Sequence, residues 1–124
     1  IFIGPEEEPE FMRTIMPDCV ATRWTPLFAD VNPGNISKKV GVELFCSHFG
    51  IDVSETMSFG DGGNDVEMLA HTAIGVAMGS AGSNVKAVAD YVTDDPENDG
   101  ILKALEHFGV LETPHPTALK NWDA

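Results

Sequence analysis

The run Ser58-Phe59-Gly60-Asp61-Gly62-Gly63-Asn64-Asp65-Val66-Glu67-Met68 constrains this chain more than any other part of it. A short apolar segment, Thr56 to Phe59, leads in, and a helical pattern follows. Apolar strand, acidic turn, helix: that order places carboxylates at the carboxyl end of a buried strand, where open α/β sheets bind ligands. Asp61, Asn64 and Asp65 lie close together, and Gly60, Gly62 and Gly63 permit a tight turn with bare backbone amides. Magnesium prefers a few carboxylates, water and a substrate phosphate to an all-protein cage. The loop therefore predicts one carboxylate on a metal, a second orienting its shell, and an amide that reaches phosphate or substrate.

Rival readings of the loop fit less well. An EF-hand calcium loop starting at Asp61 would need a ligand at its third position and Glu at its twelfth, where this chain has Gly63 and Thr72. A Walker loop needs Gly-Lys-Ser/Thr, which is absent. A plain Gly-Asp turn does not account for the whole string ahead of an amphipathic helix. A second piece is Ser37-Lys38-Lys39. A lysine in the first turn of a helix opposes the helix dipole unless it is fully solvated or has an anion beside it. Two adjacent lysines alone read as a solvated pair. A phosphoryl group at the acidic loop would supply the anion.

The surrounding chain alternates. Ile1 to Ile3 reads as a short strand, Glu6 to Met16 as a helix with Phe11, Met12 and Ile15 on one side, and Val20–Trp24 and Leu27–Val31 as extended segments. Asn32-Pro33-Gly34-Asn35 is a strong turn cluster and the predicted boundary between subdomains. Ser37 caps a helix running to Phe49, with Val40, Leu44 and Phe45 on one face and Gly50 as its stop. A strand over Ala73–Met78, a helical turn over Val85–Ala89, a strand over Tyr91–Thr93 and a helix over Asp99–Phe108 follow, the last with Ile101, Leu102, Leu105 and Phe108 at helical spacing. From Ser37 onward this predicts a parallel sheet covered by helices.

A net charge of −13 excludes partners that require basic patches, nucleic acid and anionic membrane surfaces among them. The acidic runs Glu6-Glu7-Glu8…Glu10 and Asp94-Asp95…Glu97…Asp99 read as solvated loop or helix start. Cys19 and Cys46 form neither a Cys-x-x-Cys pair nor a disulfide framework, and read as reduced thiols of a cytoplasmic protein. No apolar stretch is long enough to span a bilayer. His48, His71, His107 and His115 lack the spacings that metal sites use. Trp24 and Phe28 read as packing residues rather than as substrate contacts.

The pairing of Ser37-Lys38 with Gly60-Asp61-Gly62-Gly63-Asn64-Asp65-Val66-Glu67-Met68-Leu69 resembles the haloacid dehalogenase superfamily. The Gly75-Val76-Ala77-Met78-Gly79 strand, Val85-Lys86 through Ala89-Asp90-Tyr91-Val92-Thr93, and Asp99-Gly100-Ile101 narrow the likeness to the Cof-type phosphatases of subclass IIB, over about residues 27–110. The resemblance implies an α/β fold: a partial Rossmann-like core plus the last part of an α+β cap. Residues 1–32 would be the end of the cap, 33–110 the C-terminal part of the core, and 111–124 a tail. It implies magnesium-dependent hydrolysis of small phosphomonoesters, sugar phosphates foremost, through an aspartyl-phosphate. Lys38 then matches the catalytic lysine that binds phosphoryl oxygens, Asn64 the amide that contacts phosphate or substrate, and Asp61 and Asp65 the metal-binding carboxylates.

The chain departs from that family's pattern in places. No Asp-x-Asp nucleophile motif precedes Lys38, nor is the family's phosphate-binding Ser/Thr motif found. Lys39 stands where a Gly is usual and Ser80 where an Asn is common. The abrupt start at Ile1 adds to the expectation of a C-terminal fragment, inactive by itself. Such a fragment would pair with its missing N-terminal segment, or with another copy, through an open sheet edge at Met57 and Phe59. Two alternatives stand beside this reading. One is a non-catalytic magnesium- or phosphate-binding assembly module. The other is a P-type ATPase-like phosphorylation domain, which shares the Gly-Asp-Gly-x-Asn-Asp string.

Overall fold

The computed structural model describes residues 1–23 and 25–112. Trp24, His115 and the part of the expected tail from residue 113 on lie outside the described residues. The described chain forms two sheets. The first is a hairpin of β1 (Cys19–Arg23) and β2 (Ala29–Pro33), antiparallel with Val20 opposite Asn32 and Thr22 opposite Asp30. Helix α1 (Glu8–Ile15) packs beside it. Arg23 ties this unit together. Its guanidinium donates to Glu8 and to the carbonyl oxygens of Ile3, Thr25, Pro26 and Phe28.

The expected strand at Ile1–Ile3 does not form. Only the Ile1 and Ala29 backbones exchange hydrogen bonds, at 2.7 and 2.9 Å, which extends the hairpin edge by one pair. Ile15, expected on the apolar side of α1, is 66% exposed. Strand β2 runs on through Asn32 and Pro33, so the turn cluster begins later than the sequence suggests. Phe28 packs edge-on against Phe2, with ring centroids 6.2 Å apart.

The second sheet is the parallel one. Its order is β3 (Met57–Gly60), β4 (Ile74–Ala77), β5 (Tyr91–Val92), with Phe59 opposite Val76 and Val76 opposite Tyr91. Helix α2 (Lys38–Phe49) enters it with Ser37 Oγ accepting the Val40 amide at 3.4 Å, and ends at Gly50 in the left-handed region, φ 66°. Helix α3 (Val66–His71) crosses from β3 to β4, α4 (Ser83–Lys86) from β4 to β5, and α5 (Gly100–His107) closes the chain. The apolar run at β4 is buried from Gly75 to Met78, as a central parallel strand should be. Leu69, Ala77, Ala81 and Val85 form the core cluster, with Val66, Val88 and Ala89 packed against it.

Two expected helix faces are only partly buried: Val40, Leu105 and Phe108 are half-buried, but their companions are not. Leu44 and Phe45 of α2 are 67% and 61% exposed while Cys46 is buried, and Ile101 and Leu102 of α5 are exposed while Gly100 and Ala104 are buried. For α2 the physical reason is topological. Strand β3 has a sheet neighbour on one side only among the described residues, so Phe45 borders an open apolar groove with Val42, Ile51 and Met57 instead of a packed layer.

Candidate functional site

The acidic loop leaves β3 at Gly60 and passes through one turn of 3₁₀ helix, Gly63–Asp65, into α3. It sits at the carboxyl end of the parallel sheet, where such folds gather ligands. Asp65 organises it. This carboxylate is buried, yet both oxygens have partners. Oδ2 accepts the backbone amides of Asp61 and Gly62, each at 3.0 Å, and Oδ1 accepts Lys38 Nζ at 2.5 Å. A Cβ on Gly60 would stand 2.5 Å from the Cβ of Asp65, so only glycine lets the strand end pass this close.

Burial works to raise the Asp65 pKa, but the hydrogen bonds from Lys38, Gly62 and Asp61, with the lysine's charge, outweigh it and hold the carboxyl below its ordinary value. Asp65 is therefore an anion in the folded chain at neutral pH. It answers the question that the dipole argument raised about Lys38, whose anion is the loop itself. The lysine side chain stays 48% exposed, so one flank of its ammonium remains open.

Asp61 and Asn64 are exposed, and the side chain of neither has a hydrogen-bonding partner among the described residues. The structure thus brings Lys38, Asp61, Asn64 and Asp65 to one loop and divides their duties. Asp65 is turned inward and committed, while Asp61 and Asn64 are turned outward and available. No group of three His, Cys, Asp or Glu close enough to hold a metal by themselves occurs among the described residues. One free carboxylate, a second one behind it and a lysine suit a magnesium ion that keeps most of its waters and shares a phosphate; they do not suit a cage site.

A cavity of about 650 Å³ opens from Lys38, Asn64 and Glu67 toward the β1–β2 hairpin, where Thr22, Asn32 and Asn35 line it. Sequence reasoning missed this wall. The signal was the alternation of Val20 and Thr22 along a strand, which could not be turned toward the loop without knowing how the two sheets meet. It also missed the buried hydroxyl pair Ser58–Thr72, at 2.6 Å, which fixes β3 to the end of α3. His71 lies 3.2 Å from Glu43, and His107 stacks on Tyr91.

Known proteins share this fold. The family model of haloacid dehalogenase-like hydrolases matches residues 4–105. A solved sugar phosphatase of subclass IIB is 55% identical with a TM-score of 0.77, over 89% of this chain and 42% of its own. A phosphatase of the same superfamily from Bacteroides thetaiotaomicron is 49% identical with a TM-score of 0.81, over 89% of this chain and 41% of its own. Among curated proteins, the 5-amino-6-(5-phospho-D-ribitylamino)uracil phosphatase YcsE of Bacillus subtilis is 36% identical over 70% of this chain and 35% of its own. The chain thus spans less than half the length of these relatives. No described helix is long and apolar enough to cross a membrane. With a match that begins at residue 4 and ends at residue 105, this protein belongs to the haloacid dehalogenase-like hydrolases.

Proposed function

We propose that this chain is the C-terminal part of a cytoplasmic, magnesium-dependent phosphatase that hydrolyses small phosphomonoesters, sugar phosphates among them. Residues 1–32 belong to its cap and 33–110 to its core. The observation that carries the reading is the Lys38–Asp65 contact: it joins a lysine from one element to an acidic loop from another at the carboxyl end of a parallel sheet. The sugar phosphatase relative supports the substrate class.

In this reading Lys38, steered by Asp65, turns its open flank to the phosphoryl oxygens and offsets their charge as it redistributes. Asn64 donates its side-chain amide to the phosphate or the ester. Asp61 would hold the magnesium ion directly and Asp65 through its shell, the ion supplying Lewis-acid stabilisation of the phosphoryl charge. Asp65 also fixes the Asp61 and Gly62 amides, so the loop is shaped before substrate arrives. A carboxylate outside this chain attacks phosphorus as the bond to the sugar oxygen breaks, a general acid also outside this chain protonates the leaving alkoxide, and water then hydrolyses the aspartyl-phosphate, releasing phosphate and restoring the carboxylate. The segment that carries this carboxylate, or a second copy of the chain, pairs with the open edge of β3.

Magnesium titrated into the isotope-labelled chain tests the site. The backbone amide signals of residues 60–64 should shift, more strongly with inorganic phosphate present, and Asp61→Ala should remove the response. An unchanged loop spectrum would reject the assignment.

A further inference from the structure

Helices α2 and α3 are joined by two polar contacts. At their starts, Lys38 Nζ donates to Asp65 at 2.5 Å. Farther along, Glu43 Oε1 of α2 lies 3.2 Å from Nε2 of His71, the last residue of α3. By helical rise, Glu43 stands about 7.5 Å beyond Lys38, and His71 about 9 Å beyond Asp65. The helices therefore run side by side in the same direction, with both starts at the acidic loop. His71 Nε2 is shut off from solvent without a hydrogen bond, and the Glu43 carboxylate beside it stands off the line that such a bond needs. A small rotation of the exposed Glu43 side chain would satisfy this buried nitrogen. The two helices are not held equally. The buried Ser58–Thr72 hydroxyl pair, at 2.6 Å, fixes the end of α3 to β3, whereas α2 leaves Leu44 and Phe45 exposed beside the apolar groove. The tilt of α2 is thus the softer variable, and Lys38 moves with it.

Resting on the phosphatase reading above, we propose that Glu43 and His71 are positioning residues. Their contact sets the angle of α2 against the anchored α3 and so places the Lys38 ammonium against the phosphoryl group. Both act through Lys38. A pair this exposed adds little stability, yet a misplacement of about 1 Å at a reacting centre can cost about a hundredfold in rate. Lys39 lies 3.8 Å from the same carboxylate but on the same helix, so it does not link the two and serves as the control.

The test follows phosphate release from a hexose 6-phosphate by the full-length protein with magnesium, with thermal melting alongside. Glu43→Ala and His71→Ala should each lower kcat about tenfold and change KM less than about threefold, because Lys38 offsets charge that redistributes in the transition state. The double variant should be no slower than either single one, as for residues that act through one contact. His71→Gln, whose side-chain amide also donates, should keep most of the rate, and Lys39→Ala should match the wild type. Melting temperatures should stay within about 4 °C of the wild type. Unchanged kcat in both single variants, losses that multiply in the double variant, no rescue by His71→Gln, an equal loss in Lys39→Ala, or a loss that tracks the melting temperature would each overturn the proposal, while release by the wild type leaves the phosphatase reading standing. No magnesium-dependent release by the wild type would instead refute that reading, and the positioning role with it.

Discussion

Asp65 is 2% exposed and accepts from a lysine and two backbone amides, so removing its charge disturbs both the loop and the lysine. Asp65→Asn should lower unfolding stability by about 2 kcal/mol in denaturant titration, the scale of hydrogen bonds to a charged group with a half-exposed partner. Because its pKa is depressed in the folded chain, the carboxylate's contribution is complete above the unfolded pKa of about 3.9 and is lost as pH falls through the lower folded value. Stability should therefore decline on acidification below about pH 5, and Asp65→Asn should flatten that decline. An equally steep acid limb in the variant would assign the effect to other carboxylates. Gly60→Ala forces a methyl against the Asp65 side chain and should cost about 1–3 kcal/mol as overpacking, with weakened phosphate binding. The glycines of the loop were legible as turn residues. That Gly60 serves a side chain five positions on was not, since only the three-dimensional path of the chain brings the two together.

Helix α2 shows which features of an element the sequence reveals. Its ends are local, and both were readable: Ser37 bonds the Val40 amide and Gly50 takes the left-handed conformation. Ser37→Ala should cost about 0.5–1 kcal/mol, toward the low end because its bond is 3.4 Å long, and Gly50→Ala about 1 kcal/mol from the positive φ. Its buried face was not readable, because burial depends on which neighbours the sheet supplies; Leu44 and Phe45 sit at helical spacing and still face solvent. Strand β4 reads correctly for the opposite reason: a continuous apolar run between small residues is buried on both faces whatever the register. The hairpin depends on one side chain. Arg23→Met should strip the hydrogen bonds that hold the Ile3–Phe28 backbone and Glu8, and hydrogen exchange in β1 and β2 should rise while the α3–β4 core stays protected.

The chain joins a parallel sheet and a separate hairpin across one cavity, with Lys38 at the start of α2 next to both. The α/β class followed from alternating elements, and the family from the loop and the lysine. The cavity did not follow, since it is made by residues from both sheets at once. Beside β3 lies an apolar groove lined by Phe45 and Met57. Unpaired strand edges with apolar neighbours recruit further strands. Sedimentation of this chain should show association that rises with concentration, and Phe45→Lys should reduce it; a monomer at all concentrations would contradict pairing between copies. Asp61, Asn64, Asp65 and Lys38 are proposed to form the phosphate half of a phosphatase site. Phosphate release from a hexose 6-phosphate by the full-length protein tests it most directly, with and without magnesium, in the wild type, Asp61→Ala and Lys38→Ala. Release should require magnesium and fall to background in both variants; release that persists undiminished in Asp61→Ala and Lys38→Ala would refute this assignment.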